Sequence, residues 1–166
     1  MRKLDSLGIT DHVIFIDYVS ELDLAHYYSS AALLAYPSLY EGFGFPPLEA
    51  MACGCPVVTS DTSSLPEVVG EAGIMVNPYD TGRLEQAMRE VLTNSQLRDY
   101  MVRKGLEQSK KFSWERAAEQ TQEVYDEVLA NSKLRDEVVR KGLEQSKKSS
   151  QTQESRNDVA GGKPVR

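Results

Sequence analysis

Residues 33–60 read LLAYPSLYEGFGFPPLEAMACGCPVVTS, and this stretch decides the fold. Leu33 to Pro37 is a continuous apolar run of strand length, and Ser38 to Phe45 is a glycine-bearing loop. Pro46 to Cys53 suits a short helix, with prolines at its start and Gly54 just past its end, the places those residue types favour. Val57 to Ser60 is a second buried strand. Two carboxylates, Glu41 and Glu49, flank the loop-to-helix junction in otherwise apolar sequence, and apolar segments rarely keep acidic groups without a use for them.

The flanking sequence continues the alternation. Asp11-His12 leads into Val13-Ile14-Phe15-Ile16, an apolar run fit for a buried strand. Ser20 is placed as an N-cap, with Asp23 three residues on and Leu22, Leu24, Ala25 and Tyr28 following at helical spacing to about Ser30. Ser63 to Val69 makes one or two helical turns closed by Gly70, and Gly73 to Pro78 is another strand. Asp80 or Thr81 caps a helix whose Leu84, Ala87, Met88, Val91 and Leu92 share a face; a further helix runs from about Gln96 to Lys111. Trp114 to about Ala130 is the last amphipathic helix. Strands that are short and apolar throughout, alternating with helices, predict an α/β layer fold with a largely parallel sheet, whose ligands bind at the carboxyl ends of the strands.

The 166 residues suit one domain of ordinary size, and 40% hydrophobic residues suffice for a core. Cys53 and Cys55 are too close for an ordinary disulfide and too few for a zinc site, which predicts a reduced, cytoplasmic chain. No apolar run approaches the roughly 20 residues of a membrane span, and Met1-Arg2-Lys3 is not followed by a signal-peptide core. Residues 1–130 hold 10 basic against 20 acidic residues, and no Lys or Arg lies between Lys3 and Arg83. That argues against nucleic acid as a partner, because binding to a phosphate backbone draws its affinity from basic side chains.

Beyond Ala130 the chain repeats itself. NSQLRDYMVRKGLEQSKKFS (94–113) matches NSKLRDEVVRKGLEQSKKSS (131–150) at 16 of 20 positions, and the QTQE of 120–123 recurs at 151–154. Two copies do not make a solenoid, which needs about three units to bury a core. Tyr100 and Phe112 become Glu137 and Ser149 in the second copy, so a polar surface helix from Lys133 to Lys148 is expected, followed by disorder. Residues 131–166 hold 9 basic against 5 acidic residues, a basic tail suited to a solvated end or to peripheral contact with an anionic membrane or acidic partner.

A helix starting behind Gly42 and Gly44 favours an anion: backbone N–H groups point outward, and glycine permits close approach. Carboxylates on the loop and in the first helical turn are natural acceptors for paired sugar or ribose hydroxyls. The pattern asks for a ligand with a phosphate and two polyol ends, a nucleotide-sugar. The plainer alternative is that Glu49 complements the helix dipole and Glu41 is a solvated loop residue. Spacing alone leaves both open. His12 and His26 read as surface histidines, Cys53 and Cys55 as packing thiols.

The segment 37–58, with EGFG, PLEAMA, a glycine and PVV in order and its two glutamates eight positions apart, resembles the donor-binding signature of retaining GT-B glycosyltransferases of family four, the group 1 type. The resemblance runs from about Leu7 to Leu129 and includes Phe112-Ser113-Trp114 and Ser64 to Gly70. It implies a Rossmann-like, partial doubly wound, mostly parallel sheet with a helical C-terminus. On matching positions, Glu41 would contact the donor sugar and serve as the catalytic residue through electrostatic and positional help. Gly42, Phe43 and Gly44 would line sugar and diphosphate, Leu48 would offer its N–H to phosphate, and Glu49 would hold the ribose hydroxyls. Tyr18 and Val19 would lie near the base, although Asp17 stands where the family has glycine. Such enzymes retain anomeric configuration, use no metal or other cofactor, and react on the front face with the departing diphosphate assisting the acceptor. A phosphorylase or epimerase reading finds no matching lysine for a pyridoxal Schiff base and no epimerase-like loop.

By the same resemblance, 1–130 would be a partial donor domain and 131–166 an appended helix and tail, with the acceptor domain and the first two β-α units of the donor domain missing. Those units carry the Arg and Lys that neutralise the diphosphate. Their two strands would stand between the runs at Val13 and Leu33, which therefore either re-pair, or the first detaches, or a partner fills the gap. Exposure of the last helix's apolar face would favour self-association.

Overall fold

The computed structural model describes residues 2–131 and 133–144, in which residues 2–112 and the described residues from Ser113 onward form two separate units. In the first, α1 (Arg2–Leu7) and a 3₁₀ turn (Thr10–His12) lead through extended residues 13–20 to α2 (Glu21–Ser30). There follow β1 (Leu34–Tyr36), α3 (Phe45–Ala52), β2 (Val57–Ser60), α4 (Leu65–Val69), a 3₁₀ turn (Gly70–Ala72) and β3 (Ile74–Val76). Helices α5 (Thr81–Thr93) and α6 (Ser95–Ser109) complete the unit. The second contains α7 (Trp114–Ala130) and a helix over 133–144, which we call α8.

The sheet is parallel throughout, in the order β1-β2-β3, with Leu34 opposite Val57 and Val58 opposite Ile74. The expected α/β class is therefore present. β2 lies in the middle and all four of its residues are buried. One face packs Val57 against Ala50 and Met51 of α3 and Val68 and Val69 of α4. The other packs Val58 against Val76, Ala87 and Val91 of α5, and Met101 of α6. The two valines thus meet apolar partners on opposite faces, as in a strand covered on both sides, and the buried Thr59 and Ser60 hydroxyls donate to the carbonyls of Tyr36 and Ser38.

The caps follow the sequence. Ser20, Asp80, Asn94 and Ser113 each accept a backbone N–H three residues on, as N-cap side chains do. At the end of α3, Gly54 N–H donates to the Met51 carbonyl at 3.1 Å and Cys55 N–H to that of Ala50 at 2.8 Å. With Gly54 at φ 75°, this is the Schellman arrangement, which delivers the chain directly into β2.

One expected strand is absent. Val13 to Ile16 pairs with nothing among the described residues, and Ile14, Phe15 and Ile16 are 85%, 67% and 49% exposed. Of the three outcomes anticipated for this run, it is detached. The run lies outside the described sheet, which ends at β1, and β-propensity alone does not make a strand. Helix α1 was not anticipated. In the second unit, Val124, Tyr125 and Leu129 of α7 are exposed. The expected polar helix is present over 133–144, while the rest of that prediction and the disordered tail fall outside the described residues.

Candidate functional site

The site region is the turn from β1 through residues 37–44 into α3, at the carboxyl end of the parallel strands. A row of hydroxyls just after β2 anchors its backbone. Ser60 Oγ donates to the Ser38 carbonyl. Thr62 Oγ1 donates to the Leu39 carbonyl at 3.3 Å, and Ser64 Oγ to the carbonyls of Phe43 at 2.7 Å and Glu41 at 3.1 Å. Ser63 Oγ accepts the Glu41 N–H at 3.0 Å. Among the described non-glycine residues Ser63 alone has a positive φ, 52°, a strained conformation held where it grips the loop.

Glu41 is fixed by Tyr36, the last residue of β1, whose hydroxyl donates to Oε1 at 2.5 Å. This bond, with one from Ser38, holds the Glu41 carboxyl below its ordinary range, and the same bond, aided by burial, pushes Tyr36 up to about 12. Glu49 faces outward in the second turn of α3 and accepts a long bond, 3.4 Å, from the Tyr28 hydroxyl of α2. Partial burial, then the Glu49 charge, pushes Tyr28 up to about 12. The helix follows Gly44, whose φ of 108° requires glycine; a Cβ there would meet Leu65 Cδ2 at 2.8 Å. Gly42 has open space where its Cβ would stand. Phe43 packs on Phe45 and edge-on against Phe112, with centroids 4.8 and 5.8 Å away.

The structure thus gathers Glu41, Gly42, Phe43, Gly44, Leu48 and Glu49 at one loop-helix junction. Tyr18, 92% exposed, and Val19 lie before α2, where Val19 flanks a shallow groove with Asp23, His26, Tyr27 and Ser30. The helix start is poorer in donors than its position suggests. Pro46 and Pro47 have no N–H, and the Leu48 N–H points to the Gly44 carbonyl at 3.4 Å. No Lys or Arg stands in the sequence between Lys3 and Arg83, and Arg83 pairs with Glu90 at 3.1 Å. Among the described residues no cluster of three His, Cys, Asp or Glu could hold a metal. Sequence reading missed Tyr28, Tyr36 and the hydroxyl row. The signal was present in Thr59, Ser60, Thr62, Ser63 and Ser64, a run of hydroxyls that begins in the second half of β2 and continues past it.

The parallel order, the helices on both sheet faces and the glycine loop at the strand ends define a Rossmann-like α/β fold. The sequence pattern of glycosyl transferases group 1 matches residues 2–108, and the chain belongs to that family. It is 44% identical over 111 residues to O-antigen chain mannosyltransferase B of Escherichia coli, a match covering 67% of this chain and 29% of that protein. With the D-inositol 3-phosphate glycosyltransferase of a Nocardioides species it shares 40% over 125 residues, 74% of this chain and 27% of the other. In three dimensions it resembles the sucrose-phosphate synthase of Thermosynechococcus elongatus, with TM-score 0.70 and 32% identity over 78% of this chain and 33% of that one. Anabaena HepE, solved with UDP-glucose, shares the fold at TM-score 0.69 and 22% identity, over 76% of this chain and 35% of HepE. The chain spans less than a third of the curated relatives named here.

Proposed function

We propose that this chain is the donor-binding part of a retaining glycosyltransferase, which in the whole enzyme transfers a hexose from a nucleotide-sugar to an acceptor. One observation carries the reading: two glutamates stand at the two ends of a glycine loop and helix start, with Glu41 locked in place by Tyr36. A carboxylate has about four acceptor positions, and Tyr36 engages one of them. Glu41 accepts hydroxyls of the donor sugar and lends the reacting centre a fixed negative charge. The backbone of Gly42, Phe43 and Gly44 lines sugar and diphosphate, with the helix end at Leu48 facing the phosphates, and Glu49 takes the ribose hydroxyls. Tyr18 and Val19 approach the base. No metal or cofactor is invoked.

Charge limits what this chain does alone. A helix N-terminus carries about half a positive charge against roughly two negative charges on a diphosphate, and two of its donors are lost to proline. Binding is therefore weak, and turnover requires basic side chains and an acceptor site from outside these 166 residues. The exposed Ile14, Phe15 and Ile16 favour, as a second reading, a non-catalytic sugar-nucleotide or protein-binding remnant. Val124, Tyr125 and Leu129 offer area for self-association, and a place in the cytoplasm at the inner membrane surface fits polysaccharide assembly.

Saturation-transfer NMR with UDP-glucose and GDP-mannose at millimolar concentration tests the roles. Saturation should reach hexose and ribose protons, with Glu41→Gln weakening the hexose signals selectively and Glu49→Gln the ribose signals. Equal loss at both ends in either variant removes the assignment, and silence in the parent favours the remnant.

A further inference from the structure

The repeat beyond Ala130 duplicates a helix whose docking is visible. Helix α6 packs Met101 into the cluster around Val58 and lays Gly105 against α3, where a Cβ would meet Met51 Cγ at 3.2 Å and Cβ at 3.3 Å. Leu97 packs beside Met101, and Gln108 Nε2 donates to the Val68 carbonyl at 3.0 Å. These are the features by which α3, α4 and α5 cradle α6. At the matching positions, 37 residues on, stand Leu134, Val138, Gly142 and Gln145. The four differences between the copies are unequal in weight. Gln96→Lys and Tyr100→Glu fall at exposed positions, while Met101→Val and Phe112→Ser touch packing.

The second copy also folds locally as the first does. Asn94 Oδ1 caps α6 by accepting the Leu97 N–H at 3.0 Å, and Asn131 Oδ1 accepts the Leu134 N–H at 3.2 Å. Yet α8 is unburied: Val138, Val139 and Leu143 are 50%, 55% and 59% exposed, and Gly142 has open space beside it. A capped helix thus carries, unused, the surface that its twin buries.

We propose that α8, residues 133–144, is a second occupant for the α6 cradle, taking that place when α6 is displaced. Gly142 is the residue that favours it, since at the matching Gly105 even a methyl group would crowd Met51, at 3.2–3.3 Å. In the parent chain α6 holds the cradle, because Met101 fills it better than valine, because Phe112 adds an aromatic contact to Phe43, and because the exchange loops out 37 residues.

Blocking each copy in turn tests this. Gly142→Glu should melt as the parent does. Gly105→Glu places a charge against Met51 and expels α6, yet should keep one cooperative transition with Tm lowered by about 5–10 °C. Gly105→Glu with Gly142→Glu should lose cooperative melting. Hydrogen exchange read by mass spectrometry follows the helices themselves: in Gly105→Glu, protection should leave 97–107 and appear at 134–144. Single and double variants that melt alike, or a Gly105→Glu chain whose 134–144 peptides exchange as fast as in the parent, overturn the proposal, including where Gly105→Glu unfolds outright.

Discussion

Val57–Ser60 and Val13–Ile16 are four-residue segments of similar strand propensity, and the more apolar of the two is the one left in water. All four residues of VVTS are fully buried in the central strand, whereas Ile14 of VIFI is 85% exposed. The difference is company. VVTS has β1 and β3 on either side and helices on both faces; VIFI has no strand beside it among the described residues. Strand formation is a property of the pairing, and propensity only prepares for it.

The largest effect should come from breaking the buried side. A Cβ at Gly73 would sit 2.5 Å from Val69 Cγ1 and 2.8 Å from the Val57 carbonyl oxygen, so Gly73→Val wedges β2 away from α4. Denaturant unfolding should show a loss of about 3 kcal/mol, and a loss under about 1 kcal/mol would mean β2 is not as tightly clasped as its burial indicates.

The next effect concerns the loop that the clasped strand supports. Tyr36 ionises at about 12 in the folded chain rather than at 10, so folding tightens its hold on the proton. Its contribution to stability is complete below pH 10 and fades as pH rises through 12. Glu41, whose folded value is lowered, contributes above the ordinary carboxylate range and loses that contribution as pH falls. The pair is thus at full strength between about pH 5 and 10. Tyrosinate absorbance should show two late-titrating residues, Tyr28 and Tyr36, and Tyr36→Phe should remove one of them. An unchanged titration in Tyr36→Phe would dissolve the lock on Glu41.

The smallest effect belongs to the exposed segment. Phe15→Ser should change stability by no more than about 0.5 kcal/mol, since it removes a side chain already in water. A loss beyond about 1 kcal/mol would mean that the segment packs after all.

The α/β class, every described strand and helices α2 to α7 were legible in the sequence, because apolar runs, caps and terminal glycines all point the same way there. Glu41 and Glu49 stood out as acidic residues in apolar sequence, and in the structure each accepts a tyrosine hydroxyl, Tyr36 and Tyr28 respectively. The fate of VIFI was open because pairing is decided by neighbours far along the chain. The tyrosines at residues 28 and 36 were hidden for the same reason: each reads as a half-buried aromatic until the fold brings its hydroxyl to a carboxylate. The prolines of α3 read as helix starters, and only the geometry of the junction made plain that they also strip it of donors.

We propose that Glu41 and Glu49 mark a donor site that lacks basic side chains across residues 4–82. Isothermal titration calorimetry of the 166-residue chain with UDP-glucose and GDP-mannose tests it directly. The account predicts a Kd in the millimolar range or weaker for both, and a sub-millimolar Kd for either would contradict it.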